Sequence, residues 1–172
     1  MTFQLRPALP SDVPGLTEIY NDAVLNTAAI WNEETVDEEN RLAWLRAHEA
    51  AGFPVIVAEG ENGTVLGYAT FGDHRAWDGY RHSVEHSVYV RSGQRGAGLG
   101  RALMEELIAL ARAAGKHLMV AAVEAHNTGS LRLHESLGFE YAGTLKQVGA
   151  KFGRWLDLSY LTLRLNDDPT PA

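Results

Sequence analysis

The sequence predicts an α/β fold in which one mixed β-sheet carries helices on its two faces. Seven short runs rich in β-branched and aromatic residues are typical of strands, and four segments have the apolar spacing of helices. The two kinds of segment are interspersed along 172 residues, a length that suits one domain with its own hydrophobic core.

The first part of the chain is predicted to form three strands and two helices. Ser11 and Asp12 can cap a helix that extends to Asn26, and a second helix begins near Asp37. The strands are predicted over residues 3–6, 54–59 and 65–71. Asn62-Gly63, between the last two strands, is typical of a tight hairpin turn.

The second part is predicted to alternate strands and helices and to end in two strands. Strand 84–90 leads through a glycine-containing loop into a helix that stops at Gly115. The remaining predicted elements are strand 117–124, helix 127–137 and strands 139–148 and 155–165. Because no repeat or linker interrupts the chain, we expect one domain over residues 1–166 and a frayed tail over 167–172.

The composition narrows the class of protein. The formal charge of −7 argues against general nucleic-acid binding, which needs a basic surface. The absence of cysteine excludes disulfides, thiolate nucleophiles and Cys-ligated zinc sites. His82 and His86 would share one side of a helix, but their segment is predicted as loop and strand, so no metal is expected. Without a signal region or a long apolar run, we expect a cytoplasmic protein without membrane association.

The glycine-rich segment after strand 84–90 is the most informative motif. Gly96, Gly98 and Gly100 allow a close backbone approach to a ligand, and the free N–H groups of the following helix attract anions. Arginines surround the loop at positions 91, 95 and 101, and no carboxylate lies between positions 91 and 104. The segment therefore predicts a phosphate-binding loop.

Three phosphate ligands are considered for this loop. A nucleotide triphosphate loop needs Gly-Lys-Ser/Thr, whereas this one ends in Gly100-Arg101-Ala102. A dinucleotide fold expects its glycines near the start of the chain, with different spacing. The third ligand is coenzyme A, because Arg95–Gly100 resembles the loop of the GCN5-related N-acetyltransferases. The block from Asn127 to Phe139 resembles the second signature of that family, and the resemblance spans roughly residues 5–165.

The resemblance implies a fold and a cosubstrate. The fold is a mixed, mostly antiparallel twisted sheet of about seven strands, splayed at the cofactor site, with about four helices on its two faces. The cosubstrate is acetyl-CoA. The resemblance implies that strand amides contact the pantetheine arm and that loop amides hold the pyrophosphate. The implied cofactor-binding residues are Val88, Tyr89, Val90, Arg95, Gly96, Ala97, Gly98, Leu99, Gly100, Arg101 and Asn127.

Segments 84–90, 132–138 and 143–149 further resemble the phosphinothricin and methionine sulfoximine acetyltransferases. Those enzymes acetylate the α-amine of small amino acids with a tetrahedral phosphinate, sulfoximine or sulfone group. The implied substrate-binding residues are Arg75, Ala76, Trp77, Glu85, His86 and Ser87. Arg75 is the preferred anchor for the substrate carboxylate, and Arg81 is an alternative that surface charge explains equally well. A homodimer is also implied, with the hairpin 139–165 as a contributor.

Glu85 is the candidate catalytic base. An amine is mostly protonated at neutral pH, and only its free lone pair attacks a thioester, so a side chain must take the proton directly or through water. Strand alternation places Glu85, Ser87 and Tyr89 on one face, opposite His86. A solvated carboxylate on an edge strand is the alternative interpretation.

His134 is the second candidate catalytic residue. Many family members have tyrosine at this position, where it is thought to protonate the departing thiolate. An imidazole can donate that proton or serve as a second base, and a packed helix histidine is equally consistent with the sequence. The general acid is therefore left open.

Two other functions compete with this interpretation. The same fold can act on another amine, such as a protein N-terminus or a polyamine, although a polyamine site needs carboxylates where the arginines stand. The chain can also be a non-catalytic acyl-CoA-binding module, against which Glu85 and His134 argue. The sequence is consistent with two biological roles for such an enzyme, detoxification and amino-acid metabolism.

Overall fold

The computed structural model describes residues 2–171 and contains seven strands and four helices within that range. Strands β1–β7 cover Gln4–Pro7, Val55–Glu59, Val65–Asp73, Ser83–Val90, Leu118–Glu124, Glu140–Lys151 and Arg154–Arg164. Helices α1–α4 cover Val13–Asn26, Glu38–Ala50, Leu99–Ala113 and Thr128–Ser136. Each of these strands and helices begins and ends within a few residues of its predicted bounds.

The strands form one sheet in the order β1-β2-β3-β4-β5-β7-β6. The pairs β1–β2, β2–β3, β5–β7 and β6–β7 are antiparallel, and β4–β5 is parallel. The β4–β5 register joins Ser83 to Leu118 and Glu85 to Val120. The predicted class, a mixed and mostly antiparallel α/β sheet, is confirmed. The splay of this sheet at the cofactor site stays a prediction.

The chain divides into two compact units. The first comprises the chain up to Phe71 together with Ser87–Leu107. Its core packs α1 against β2 and β3, because the apolar stripe of α1 meets strands that are buried along almost their whole length. The core residues are Leu16, Ile19, Val57, Val65 and Tyr68.

Asp12 occupies the N-cap position of α1, as predicted, but its side chain accepts no N–H of the helix. Its carboxylate accepts the backbone N–H of Leu9 at 2.7 Å and two hydrogen bonds from the Arg6 guanidinium at 2.7 and 2.8 Å. The carboxylate therefore closes the turn before the helix. Asp37 does cap α2, since it accepts the N–H of Asn40 at 2.8 Å.

The second unit comprises Gly72–His86 and the chain from Ile108 on. β5, β7 and β6 form its antiparallel part, and the start of β4 joins β5. β6 extends to Lys151, past the predicted end at residue 148. The predicted loop of residues 149–153 reduces to the turn Phe152-Gly153, whose φ angles are 53° and 70°.

No helix within residues 2–171 combines the length and apolar character that a membrane span requires.

Candidate active site

The glycine loop adopts a backbone that non-glycine residues avoid. Gly93, Gly96 and Gly98 have φ angles of 80°, 81° and 82°. A Cβ built on any of them would meet no other atom within 4 Å, so the conformation of the loop, and not crowding, requires glycine. The sequence identified Gly96 and Gly98 but missed Gly93, and Gly100 lies inside α3.

The first turn of α3 follows this loop directly. Leu99 is 1% exposed and anchors the turn in the core, whereas Gly98 is exposed. The N–H groups of the first turn, Leu99–Arg101, have no acceptor four residues earlier within the helix. No acidic residue lies in this turn. The turn therefore offers donors and a positive dipole end to an anion.

The three arginines near the loop differ in their partners. Arg91 donates to Glu18 and, at 2.8 Å, to the carbonyl of Val65, so its guanidinium is engaged in the first unit. Arg101 lies 3.4 Å from Glu105 one helical turn later. Arg95 is exposed and has no hydrogen-bond or ion-pair partner within residues 2–171. Arg95 is the cation best placed to meet an added phosphate.

The last residues of β4 are held by close packing. The Tyr89 and Tyr68 ring centroids are 5.2 Å apart, and burial raises the pKa of the Tyr89 hydroxyl. A Cβ built on Gly67 would lie 2.8 Å from the Tyr89 carbonyl oxygen and 3.4 Å from Cα of Val90. Glycine at position 67 thus allows β3 to approach the backbone of residues 88–90.

Glu85 meets a histidine that the sequence analysis did not single out. The His74 Nδ1 and the Glu85 Oε2 are 2.9 Å apart, and the Glu85 side chain is 38% exposed. The backbone N–H of His74 donates to the Ser83 carbonyl at 3.2 Å, which places His74 opposite the start of β4. Among seven histidines, no sequence signal distinguishes His74, because the contact depends on how the β3–β4 connection folds.

His86 and His134 form a hydrogen-bonded pair whose tautomers follow from their partners. The His134 Nδ1 lies 2.7 Å from the Ser130 carbonyl, which only accepts, so Nδ1 carries the hydrogen. The Nε2 of neutral His134 is then an acceptor, and the His86 Nε2, 3.0 Å away, must donate to it. The His86 Nδ1 is left as a buried acceptor without a partner within residues 2–171.

The surroundings of this pair keep both rings neutral at pH 7. Burial lowers the pKa of His134, which is 4% exposed, and burial together with the nearby His134 lowers the pKa of His86. The rings are stacked at 5.0 Å, and the Phe139 ring meets both edge-on. Neutral His134 thus has no free N–H group in this arrangement and donates no proton to a leaving group unless the pair rearranges.

The predicted substrate-binding residues Arg75, Ala76 and Trp77 lie on the exposed connection after β3. Arg75 has no hydrogen-bond or ion-pair partner in the described part of the chain. Arg81 donates to the Asp78 carbonyl at 3.2 Å within its own turn. The difference favours Arg75 over Arg81 as an anchor for an added carboxylate. Trp77 is 71% exposed, with its ring 6.2 Å from that of Tyr80.

The Asn127 side chain has a structural role through its oxygen atom, whereas its NH₂ group remains available. Its Oδ1 accepts the backbone N–H of Ser130 at 3.1 Å and caps α4. Its amide NH₂ group has no acceptor among the described residues and can donate to a ligand.

Within residues 2–171, no three His, Cys, Asp or Glu side chains are grouped as metal ligands.

Comparison with known proteins identifies the family. The model of the acetyltransferase (GNAT) family matches residues 16–139. The chain belongs to the acetyltransferase (GNAT) family.

Two curated relatives connect this GNAT chain with amino-acid acetylation. It is 55% identical over 167 residues to the L-methionine sulfoximine/L-methionine sulfone acetyltransferase of Salmonella typhimurium, with 97% of each chain covered. It is 37% identical over 159 residues to the phosphinothricin N-acetyltransferase of Streptomyces coelicolor, with 91% of this chain and 93% of the relative covered. The predicted resemblance to this part of the family is confirmed.

Two solved structures share the fold. One is a putative acetyltransferase from Salmonella typhimurium with its cofactor acetyl-CoA. It has a TM-score of 0.97 and 53% identity, with 100% of this chain and 99% of that chain covered. The other is a ribosomal-protein-alanine N-acetyltransferase from Brucella melitensis. Its TM-score is 0.92 and its identity 55%, with 94% of this chain and 99% of that chain covered.

Proposed function

We propose that this GNAT enzyme transfers the acetyl group of acetyl-CoA to the α-amine of small amino acids such as methionine sulfoximine, methionine sulfone and phosphinothricin. The observation that carries the proposal is the 55% identity with a methionine sulfoximine/sulfone acetyltransferase over 97% of both chains. One catalytic domain over residues 1–166, located in the cytoplasm, is part of the same proposal.

The glycine loop and the first turn of α3 suit the diphosphate of coenzyme A. The left-handed conformations at Gly96 and Gly98 and the N–H groups of Leu99 and Gly100 at the start of α3 provide donors for an anion, and Arg95 adds a cation that has no partner among the described residues. We assign backbone contacts with the pantetheine arm to residues 88–90 and a side-chain contact to the Asn127 amide. Acetyl-CoA supplies an activated acyl group as a thioester.

Glu85 is assigned the role of general base. Its carboxylate removes a proton from the substrate ammonium, and the freed lone pair attacks the thioester carbonyl. The C–S bond then breaks and coenzyme A leaves as a thiolate. The attacking nitrogen gives up its remaining extra proton and the thiolate takes up one proton, so the products are the amide and the free thiol. The chain has no cysteine, which removes the commonest route through an acyl-enzyme. His134 stays a candidate donor for the thiolate, but it must first gain a proton and release its bond with His86.

The substrate would be bound by charged groups of both signs. Arg75 binds its carboxylate through a planar guanidinium, and Glu85 attracts its ammonium. Ala76, Trp77, His86 and Ser87 complete the proposed contacts.

A thiol-release assay with purified protein, acetyl-CoA and a panel of amino acids tests this function. We expect turnover with methionine sulfoximine, methionine sulfone and phosphinothricin, and loss of at least about 100-fold in kcat for Glu85→Gln with little change in acetyl-CoA affinity. Unchanged kcat in Glu85→Gln across pH 6–9 would remove Glu85 as the base. Acetyl-CoA binding without acetylation of any amine would indicate a non-catalytic binding module.

The second candidate function is acetylation of a protein N-terminus. It is favoured by the 55% identity with the structure called a ribosomal-protein-alanine N-acetyltransferase. Adding an Ala-initiated peptide to the panel distinguishes the two functions. If the peptide has a higher kcat/KM than every free amino acid, acetylation of a protein N-terminus becomes the preferred function.

A homodimer through the β6–β7 hairpin is also part of the proposal. Large apolar side chains are exposed there, although apolar surface is normally buried. They are Tyr141, Leu145, Val148, Phe152 and Trp155, which are 49–68% exposed. Exposed apolar groups concentrated on one edge hairpin are typical of an interface.

A further inference from the structure

The carboxylate of Glu85 has two oxygens in different situations. Oε2 lies 2.9 Å from the His74 Nδ1. Oε1 has no hydrogen-bond partner within residues 2–171. One oxygen is therefore held by the protein, and the other is available to a substrate.

His74 is itself held from two directions. Its backbone N–H donates to the Ser83 carbonyl at 3.2 Å, which fixes it opposite the start of β4. Its ring centroid lies 5.9 Å from that of Tyr80, in an edge-to-face arrangement. The His74 side chain is 18% exposed, about half the exposed fraction of the Glu85 side chain. The imidazole is thus a better-fixed group than the carboxylate that it contacts.

The direction of the hydrogen bond follows from elementary chemistry. An ionised carboxylate has acceptors only, so the His74 Nδ1 must carry the hydrogen. A hydrogen bond to a charged group is stronger than one between neutral groups, and it restricts the rotation of a long, half-exposed side chain. A base that is held in one orientation reacts faster than one that samples several.

We propose that His74 is a positioning residue that holds Glu85 Oε2 and so presents Oε1 to the substrate amine. This inference rests on the proposed function, because it assigns Glu85 the role of base. His74 contacts neither substrate nor cosubstrate in this role, and it acts only through Glu85.

Two substitutions at position 74 distinguish the effect of the N–H donor from the effect of the aromatic ring. His74→Phe keeps an aromatic ring beside Tyr80 but removes the donor. His74→Asn loses the ring but keeps an N–H donor at the δ position. We expect kcat to fall about tenfold in His74→Phe, with the KM for acetyl-CoA within about twofold of wild type, and to recover most of this loss in His74→Asn.

The chain offers a matched control. His126 Nδ1 and Glu124 Oε1 are also 2.9 Å apart, and the His126 side chain is 74% exposed. His126→Phe removes a histidine–glutamate contact of the same length at a position with no assigned role. Its kcat should equal that of wild type, and thermal unfolding of all variants checks that they are folded.

The decisive comparison uses the Glu85→Gln background. If His74 acts through the carboxylate, His74→Phe should reduce the residual kcat of Glu85→Gln by less than twofold. A tenfold reduction in both backgrounds, equal losses in His74→Phe and His74→Asn, or no loss in His74→Phe would each overturn the inference. Wild-type protein that releases no thiol with any amino acid would contradict the proposed function, and this inference with it.

Discussion

Gly98 has a left-handed backbone directly before α3 begins at Leu99, with φ at 82°. A Cβ there would meet no atom within 4 Å, so Gly98→Ala introduces conformational strain and no clash. We expect the free energy of unfolding to fall by about 1 kcal/mol. The KM for acetyl-CoA should rise at least about fivefold, because the loop amides turn away from the phosphates. Steady-state kinetics and urea unfolding measure the two effects.

Gly52 provides the control for Gly98. It also has a positive φ, 74°, and open space around its Cα. Gly52→Ala should lose similar stability without any change in the KM for acetyl-CoA. If both variants raise this KM equally, the effect of Gly98→Ala is general strain and the loop has no special role.

The histidine pair predicts how stability depends on pH. Burial lowers the pKa of His86 and of His134 in the folded chain, whereas the unfolded chain retains a value of about 6.5. Below pH 6.5 the unfolded chain therefore binds more protons, and the free energy of unfolding falls as the pH falls. We expect a decrease of up to about 1.4 kcal/mol per pH unit and per histidine between pH 6 and pH 5, and a plateau above pH 7.

Urea unfolding at half-unit pH steps measures this dependence. Above pH 5 most carboxylates are ionised in both states, so the interval isolates the histidines. Burial lowers the pKa of His48 as well, so His48→Asn measures the share of the slope that lies outside the pair. A stability that is constant from pH 5 to pH 7 would contradict the neutral, buried pair.

The individual site residues differ in how well the sequence predicts them. Glu85 was found because a carboxylate within a β-branched strand is unusual, and Gly96 and Gly98 because their spacing is local. The contact of His74 with Glu85 joins residues 11 positions apart. The contact of His86 with His134 joins residues 48 positions apart. Local patterns carry no information about such contacts.

At the scale of elements, the sequence predicted the regular parts and missed the irregular ones. β6 continues beyond residue 148 because a bulge lies opposite Asp157, which accepts the Gln147 N–H at 2.7 Å and pairs with Lys146 at 2.9 Å. Gln147 adopts a φ of 52° in this bulge. Strand periodicity assumes one residue opposite one residue, so it does not reveal where a bulge interrupts the pairing.

Gly67 couples β3 to the end of β4, which gives a prediction at the same scale. A Cβ at position 67 would lie 2.8 Å from the Tyr89 carbonyl oxygen and 3.2 Å from Cδ1 of Leu103. Because backbone has little freedom to yield, Gly67→Ala should displace residues 88–90. We expect the KM for acetyl-CoA to rise and the free energy of unfolding to fall by about 1–3 kcal/mol.

Gly72→Ala is the matched control, since Gly72 lies in the same strand and a Cβ there would meet nothing within 4 Å. Gly72→Ala should change neither the KM for acetyl-CoA nor the free energy of unfolding appreciably. An unchanged KM in Gly67→Ala, with the stability loss present, would show that residues 88–90 do not position the cosubstrate.

The whole molecule presents two kinds of surface that favour different contacts. The net charge of −7 keeps copies of the chain apart at long range, whereas the β6–β7 hairpin exposes five large apolar side chains. A stable dimer buries about 1,200–2,000 Å² in total, so a local apolar contact of that size outweighs diffuse repulsion at physiological salt. The hairpin is therefore where association should be tested.

We expect the protein to have twice the monomer mass of 18.8 kDa in size-exclusion chromatography with light scattering. Val148→Glu combined with Trp155→Glu should convert it to a monomer, because each change places a charge on an apolar contact surface. Leu25→Glu is the control, since Leu25 is 55% exposed on α1, outside the hairpin, and its replacement should leave the mass unchanged. A monomeric wild-type protein, or a double variant that stays dimeric, would contradict an interface at the hairpin.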